Sequence, residues 1–153
     1  HHIPLIIRFP DGSHTGKQIA EFASIADMYP TILDFAGGNY DQDKIHGTSL
    51  LPLINGETSN WRDCVVTEFL GLGNVATSMK MLRMGNLKYG CNLTGQDELY
   101  DLEKDPYEMN NLIDDLEYVD DVKMLKAKLK KWMQETDDPA LRMYQWREKE
   151  GIV

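Results

Sequence analysis

The stretch Glu68-Phe69-Leu70-Gly71-Leu72-Gly73-Asn74 has the residue types for contact with a substrate. Gly71 and Gly73 let the backbone come close to another molecule with no Cβ in the way. The stretch follows a run with strand character, and loops at strand ends commonly carry binding groups. The plainer reading is a flexible turn with Glu68 in a surface ion pair. His46 offers a different chemistry, because a protonated imidazole pairs with an anion such as sulfate; the plainer reading there is a loop histidine bonded to backbone. Substrate contact is thus expected at Glu68, Gly71, Gly73 and His46. His1 and His2 read as the end of a tag or as polar residues leading into a strand. None of these histidines has a second ligand at metal spacing, so no metal ligand and no catalytic residue is assigned.

Lys80, Arg83 and Lys88 sit on adjacent strand candidates and have the charge of a basic patch for an anionic sugar. Strand alternation sets them opposite Met79, Met81, Leu87 and Tyr89, which makes a solvated outer face the simpler expectation. Glu98 to Asp105 is acidic and turns at Asp105-Pro106. It lacks the regular oxygen-ligand spacing of a calcium loop, so a capped structural turn is expected. Asn92-Leu93-Thr94 fits the glycosylation acceptor pattern, a three-residue match that is common by chance. Cys64 and Cys91 are far apart and lack metal-ligand spacing; two free buried thiols are expected, with a disulfide left open.

The elements that position these groups fall into an α/β class. Ile3-Pro4-Leu5-Ile6-Ile7 is a continuous apolar run ended by Pro10-Asp11-Gly12, the pattern of a strand buried on both faces in a parallel sheet. Its partner strands are expected upstream of His1. Lys17 to Ser24 is a short extended candidate. Asp27 to Ala36 reads as a helix with Pro30 in its first turn and a stop at Gly37, burying Ile32, Leu33, Phe35 and Ala36 against a sheet. Residues 39–60 read as a long loop with one helical turn near Leu50-Leu51-Pro52-Leu53-Ile54. Short runs at Cys64–Phe69, Met79–Arg83, Leu87–Cys91 and Glu98–Leu102, with turns between them, imply an antiparallel sheet. Val119, Val122, Leu125, Leu129, Trp132 and Met133 form a helical stripe to lay across it. Two parts are expected, residues 1–60 and residues 61–153; the tail from Ala140 has no assigned place.

Composition narrows the function classes. The chain of 153 residues has 42% hydrophobic and 27% charged residues, which suits a folded domain. Its formal net charge of −9, with basic residues clustered only between Lys123 and Lys131, argues against nucleic acid as a partner. No apolar run reaches the roughly 18 residues of a membrane span, and no signal peptide is seen. Periplasmic, secreted and cytoplasmic locations all stay open.

Four segments in order resemble the C-terminal region of sulfatases within the alkaline phosphatase-like superfamily. They are Ile3 to Pro10; Ser24-Ile25-Ala26-Asp27-Met28-Tyr29-Pro30-Thr31-Ile32-Leu33-Asp34-Phe35-Ala36-Gly37; His46-Gly47-Thr48-Ser49-Leu50-Leu51-Pro52-Leu53; and Glu98-Leu99-Tyr100-Asp101-Leu102-Glu103-Lys104-Asp105-Pro106, continuing to Leu112. One departure is Thr48, where an Arg often follows the glycine. The resemblance implies a C-terminal fragment of an alkaline phosphatase-like sulfatase fold: residues 1–60 end the large α/β domain, and residues 61–153 form a small antiparallel sheet packed by a helix. It also implies a parent enzyme that hydrolyses sulfate esters of small molecules or glycans with a formylglycine nucleophile and calcium, groups that stabilise charge on the transferring sulfuryl group. Cys64 is followed by Val-Val-Thr-Glu and Cys91 by Asn-Leu-Thr-Gly, so neither is in a Cys/Ser-x-Pro/Ala-x-Arg motif, and this chain alone is expected to be inactive. The alternatives are a phosphate or phosphonate ester hydrolase of the same superfamily and a non-catalytic binding module. The fragment is further expected to self-associate through its N-terminal apolar run.

Overall fold

In the computed structural model, which describes residues 3–71 and 78–152, capping chemistry sets the limits of the first helix. The Ser24 N–H donates to Asp27 Oδ2 at 2.6 Å, and the Ser24 hydroxyl accepts from the Ala26 N–H, so a capping box opens a single tight turn at Ile25–Asp27. The turn runs directly into α1 (Met28–Ala36). Pro30 falls in the first helical turn, where its missing N–H has no intrahelical partner to lose. Gly37, at φ 68°, takes the left-handed position that ends α1, and the Gly38 N–H reaches back to the Leu33 carbonyl at 2.8 Å. The short α2 (Leu51–Ile54) is the helical turn expected within the long loop.

The chain divides between Asp63 and Cys64 into two compact units. The first has a small core of Pro30, Leu50, Leu53 and Ile54, with Asp27 and Thr31 buried beside them. Three expectations are not met in this unit. Ile3 to Ile7 is irregular rather than a buried strand, and Ile6 is 90% exposed. A strand exists through its ladder of inter-strand hydrogen bonds, and no segment among the described residues pairs with this one. Lys17 to Ser24 forms no strand for the same reason. The expected buried face of α1 is also open: Ile32 and Phe35 are exposed and Leu33 is half-buried, while Pro30 and Thr31 face inward. An apolar helix stripe is covered only where a sheet lies beneath it, and this unit contains no sheet among its described residues.

The second unit is a four-stranded antiparallel meander: β1 (Cys64–Phe69), β2 (Met79–Met84), β3 (Leu87–Asn92) and β4 (Glu98–Asp101), in that spatial order. Register sets Val66 opposite Leu82, Leu82 opposite Tyr89, and Tyr89 opposite Leu99. Those residues share one face, and α3 (Val119–Glu135) covers it with Val122, Leu125, Leu129 and Met133. Each fully buried large side chain contributes about 1.5–3 kcal/mol, so this stripe is the main attachment of helix to sheet. A further helix, α4 (Leu141–Lys149), places Tyr144 in the same core and buries Arg147. It occupies the tail that sequence pattern left unplaced.

Candidate functional site

The carboxylate of Asp27 is the hub of the first unit. It is fully buried and accepts both guanidinium nitrogens of Arg62, Nη1 at 3.0 Å and Nη2 at 2.6 Å. It also accepts the backbone N–H groups of Ser24 and Thr48, the latter at 2.9 Å. Thr31 extends the lock, since its hydroxyl donates to the Asp27 carbonyl and accepts from the Leu50 N–H at 2.8 Å. The chain at Gly47 passes so close to the Ile25–Asp27 turn that a Cβ there would stand 2.0 Å from the Ala26 carbonyl oxygen. His46 lies exposed at the start of this locked loop. The Thr48 side chain is exposed too; its backbone alone makes the bond to Asp27.

In the second unit, Glu68 lies near the end of β1, and cross-strand pairing sets it directly opposite Lys80. The Lys80 ammonium is 1% exposed and is held by Glu68 and by Asp138, whose Oδ2 stands 2.7 Å away. Asp138 is itself fixed, because its Oδ1 accepts the Ala140 N–H at 2.8 Å in the turn between α3 and α4. Lys80 also lies 5.9 Å from the ring centroid of Trp132. Burial opposes the charge on Lys80, but its bonds to Asp138 and Glu68 outweigh that and hold its pKa above the ordinary lysine value. Glu68 keeps 42% of its side chain exposed. Gly71, at φ 81°, has a backbone conformation that favours glycine.

Two further polar clusters are structural. Asp97, buried between β3 and β4, accepts from the Tyr89 hydroxyl at 2.6 Å, from the Asn92 N–H at 3.1 Å and from Arg147 Nη1 at 3.2 Å. Burial, followed by the charge of Asp97, pushes the neighbouring Cys91 thiol up to about 11, while burial is also the main cause that raises the Tyr89 hydroxyl far above its usual range. Asp101 accepts the N–H groups of Glu103 and Lys104, and Asp105 Oδ2 accepts those of Met109 and Asn110 at 2.7 and 2.8 Å. The acidic run is therefore the capped turn the sequence implied. Cys91 is a free, buried thiol, and Cys64 is half-buried at the start of β1.

Of the sequence-derived contacts, His46 stands in the first unit, Glu68 and Gly71 stand in the second, and Gly73 lies outside the described residues. The solvated outer face expected for Lys80, Arg83 and Lys88 does not hold for Lys80, which is buried, and the three do not form a basic patch on one face. Lys80 and Arg83 are three residues apart on β2 and so point to opposite faces; Lys80 shares the core face with Leu82. Arg83 lies opposite Lys88, which pairs with Glu108. The role of Asp138 as the anchor of Lys80 was missed, as was the burial of Arg147. A signal for Lys80 was present, because it shares strand parity with Leu82.

A capped α1, a locked loop after it, and a small meander packed by a long helix together define the C-terminal architecture of alkaline phosphatase-like sulfatases. The chain belongs to the family described as N-sulphoglucosamine sulphohydrolase, C-terminal, whose model matches residues 1–135. It is 36% identical over 121 residues to Arylsulfatase K of Homo sapiens, an alignment that covers 72% of this chain and 22% of that protein. A solved structure with its substrate D-glucosamine-2-N,6-O-disulfate is similar at 28% identity and TM-score 0.67, covering 74% of this chain and 24% of that one. The phosphonate monoester hydrolase of Agrobacterium radiobacter is similar at 29% identity and TM-score 0.69, covering 80% and 27%. The chain thus spans about a fifth to a quarter of the length of these relatives.

Proposed function

We propose that this chain completes the fold of a sulfuric ester hydrolase acting on a sulfated small molecule or glycan, and that it supplies one wall of the substrate cleft. The observation that carries this reading is the family match over residues 1–135, on a fold whose relatives include sulfatases. The open apolar residues Ile3, Ile6, Ile25 and Ile32 add support, since they are placed as residues that lie against a larger sheet would be. In this reading, residues 1–60 end the large α/β domain and residues 61–153 form the small subdomain. Glu68, Gly71, Gly73 and His46 contact substrate.

A formylglycine nucleophile and calcium, when bound in the parent enzyme, supply the attack on sulfur and the neutralisation of the sulfate. The residues present here do not fit either group. No cluster of three or more His, Cys, Asp or Glu among the described residues is arranged to hold a metal ion, and neither cysteine is in the precursor motif. No helix among the described residues is long and apolar enough to cross a membrane.

Turnover of an aryl sulfate, a sulfated glucosamine and a phosphonate monoester, by the chain alone and by the full-length enzyme, tests the reading. The expected result is no turnover by the chain and preference for sulfate esters by the full-length enzyme. Turnover by the purified chain would refute the division of labour. A preference for the phosphonate would favour the phosphonate hydrolase reading, for which the similarity to the Agrobacterium enzyme speaks. The isolated chain is expected to self-associate through its apolar N-terminal segment, and a monomeric profile in size-exclusion chromatography would contradict that.

A further inference from the structure

Lys80 is an unusual residue for the core face of a small sheet. It lies on the same face as Leu82, and both its carboxylate partners come from elsewhere: Glu68 from β1 and Asp138 from the turn between α3 and α4. The two partners differ in environment. Asp138 is 4% exposed and tied to the Ala140 N–H, whereas Glu68 is 42% exposed. Two carboxylates share one ammonium, and Glu68 is the solvent-facing member of the two. A carboxylate in that position repels a sulfate and accepts a hydrogen bond from a neutral hydroxyl. Its Oε1 is engaged by Lys80 while the side chain keeps 42% of its surface exposed, which leaves acceptor capacity for a second donor.

We propose that Lys80, anchored by Asp138, is a positioning residue that holds Glu68 to recognise a hydroxyl of the saccharide part of the substrate, away from the sulfate group that is cleaved. This rests on the reading of Glu68 as a substrate contact and adds to it a ligand chemistry and a mechanism of orientation. Lys80 and Asp138 touch no substrate; they act through Glu68. Asp138 lies beyond the residues matched by the family model, whereas Glu68 and Lys80 lie within them.

The test uses the full-length enzyme with two substrates, a sulfated saccharide and an aryl sulfate that has no sugar hydroxyl. Glu68→Ala is expected to raise KM for the saccharide about tenfold, the size of one lost charge-assisted hydrogen bond. Lys80→Met and Asp138→Asn are expected to raise it several-fold, with kcat for both substrates and KM for the aryl sulfate unchanged. If Glu68→Ala raises the saccharide KM and the other two variants do not, the positioning role is wrong and the Glu68 contact stands. If Glu68→Ala leaves it unchanged, the contact itself falls, and the inference with it. Equal losses on both substrates would make the cluster purely structural. Should Lys80→Met fail to fold, Asp138→Asn decides, because it keeps side-chain shape while removing the charge that anchors Lys80.

Discussion

Arg147 gives the sharpest test of what holds the second unit together. Its guanidinium and the Asp97 carboxylate are 3% and 5% exposed, 3.2 Å apart, and Arg147 Nη2 also donates to the Gly95 carbonyl at 3.0 Å. Arg147→Met fills similar space but leaves Asp97 charged, with only the Tyr89 hydroxyl and the Asn92 N–H to stabilise it. Removing one partner of a buried pair costs about 3–5 kcal/mol. The two surviving donors bring the expected loss to the lower end, about 3 kcal/mol. With a urea slope of about 2 kcal/mol per molar, that moves the unfolding midpoint down by roughly 1.5 M. Asp97→Asn alone should cost a similar amount, since it strands Arg147. The double variant should cost much less than the sum, leaving a coupling of about 2 kcal/mol or more. Far-UV circular dichroism in urea, with Trp132 and Trp146 fluorescence as a second probe, measures all three. Single-variant losses that simply add would show that the pair contributes nothing and that α4 is held by Tyr144 packing alone.

Gly47→Ala should destabilise the first unit by at least about 1–3 kcal/mol, the cost of forcing a methyl against backbone, because its Cβ would meet the Ala26 carbonyl oxygen at 2.0 Å; Trp61, whose indole N–H donates to the Phe22 carbonyl, reports it by fluorescence on heating. Cys91 should resist alkylation in the folded state at mildly alkaline pH. Its thiol is raised from an ordinary 9.0 to about 11, so the folded state holds its proton longer than the unfolded one. The stability from this group is full below about pH 9 and is lost as pH rises to about 11. Alkylation of native protein at Cys91 near pH 8, traced by peptide mass, would contradict its burial.

Long-period patterns were legible and isolated contacts were not. The α3 stripe repeats over Val119–Glu135, enough turns for periodicity to outweigh any single residue. Capping chemistry at Gly37 and the turn at Asp105 are local and could be read directly. The N-terminal run forms no strand for a physical reason: its partners were expected upstream of His1, and with none of them beside it Ile6 remains 90% exposed. Lys80 was expected on a solvated face because strand alternation was reckoned against Met79 and Met81, whereas Lys80 shares the buried face with Leu82. Two carboxylates make the buried ammonium tolerable, and neither Glu68 nor Asp138 is near Lys80 in sequence, so the pattern gave no sign of them. The α4 contribution was illegible because Tyr144 and Arg147, three apart, give a stripe too short to separate from chance.

The residues that carry the family resemblance in three of its four segments spend their polar groups internally. Asp27 holds Arg62 and the Ser24 and Thr48 amides, Thr31 holds the Leu50 amide, and Asp101 and Asp105 cap the acidic turn. Thr48 shows the logic from the opposite side. Its bond to Asp27 uses the backbone N–H and its side chain faces solvent, so the scaffold tolerates another residue at the position where the family often has Arg. Glu68, Lys80 and Asp138 all fall outside the four segments. The groups that lock the scaffold are therefore not the ones proposed to meet the saccharide, although Glu68 and Lys80 also lie within the family match over residues 1–135.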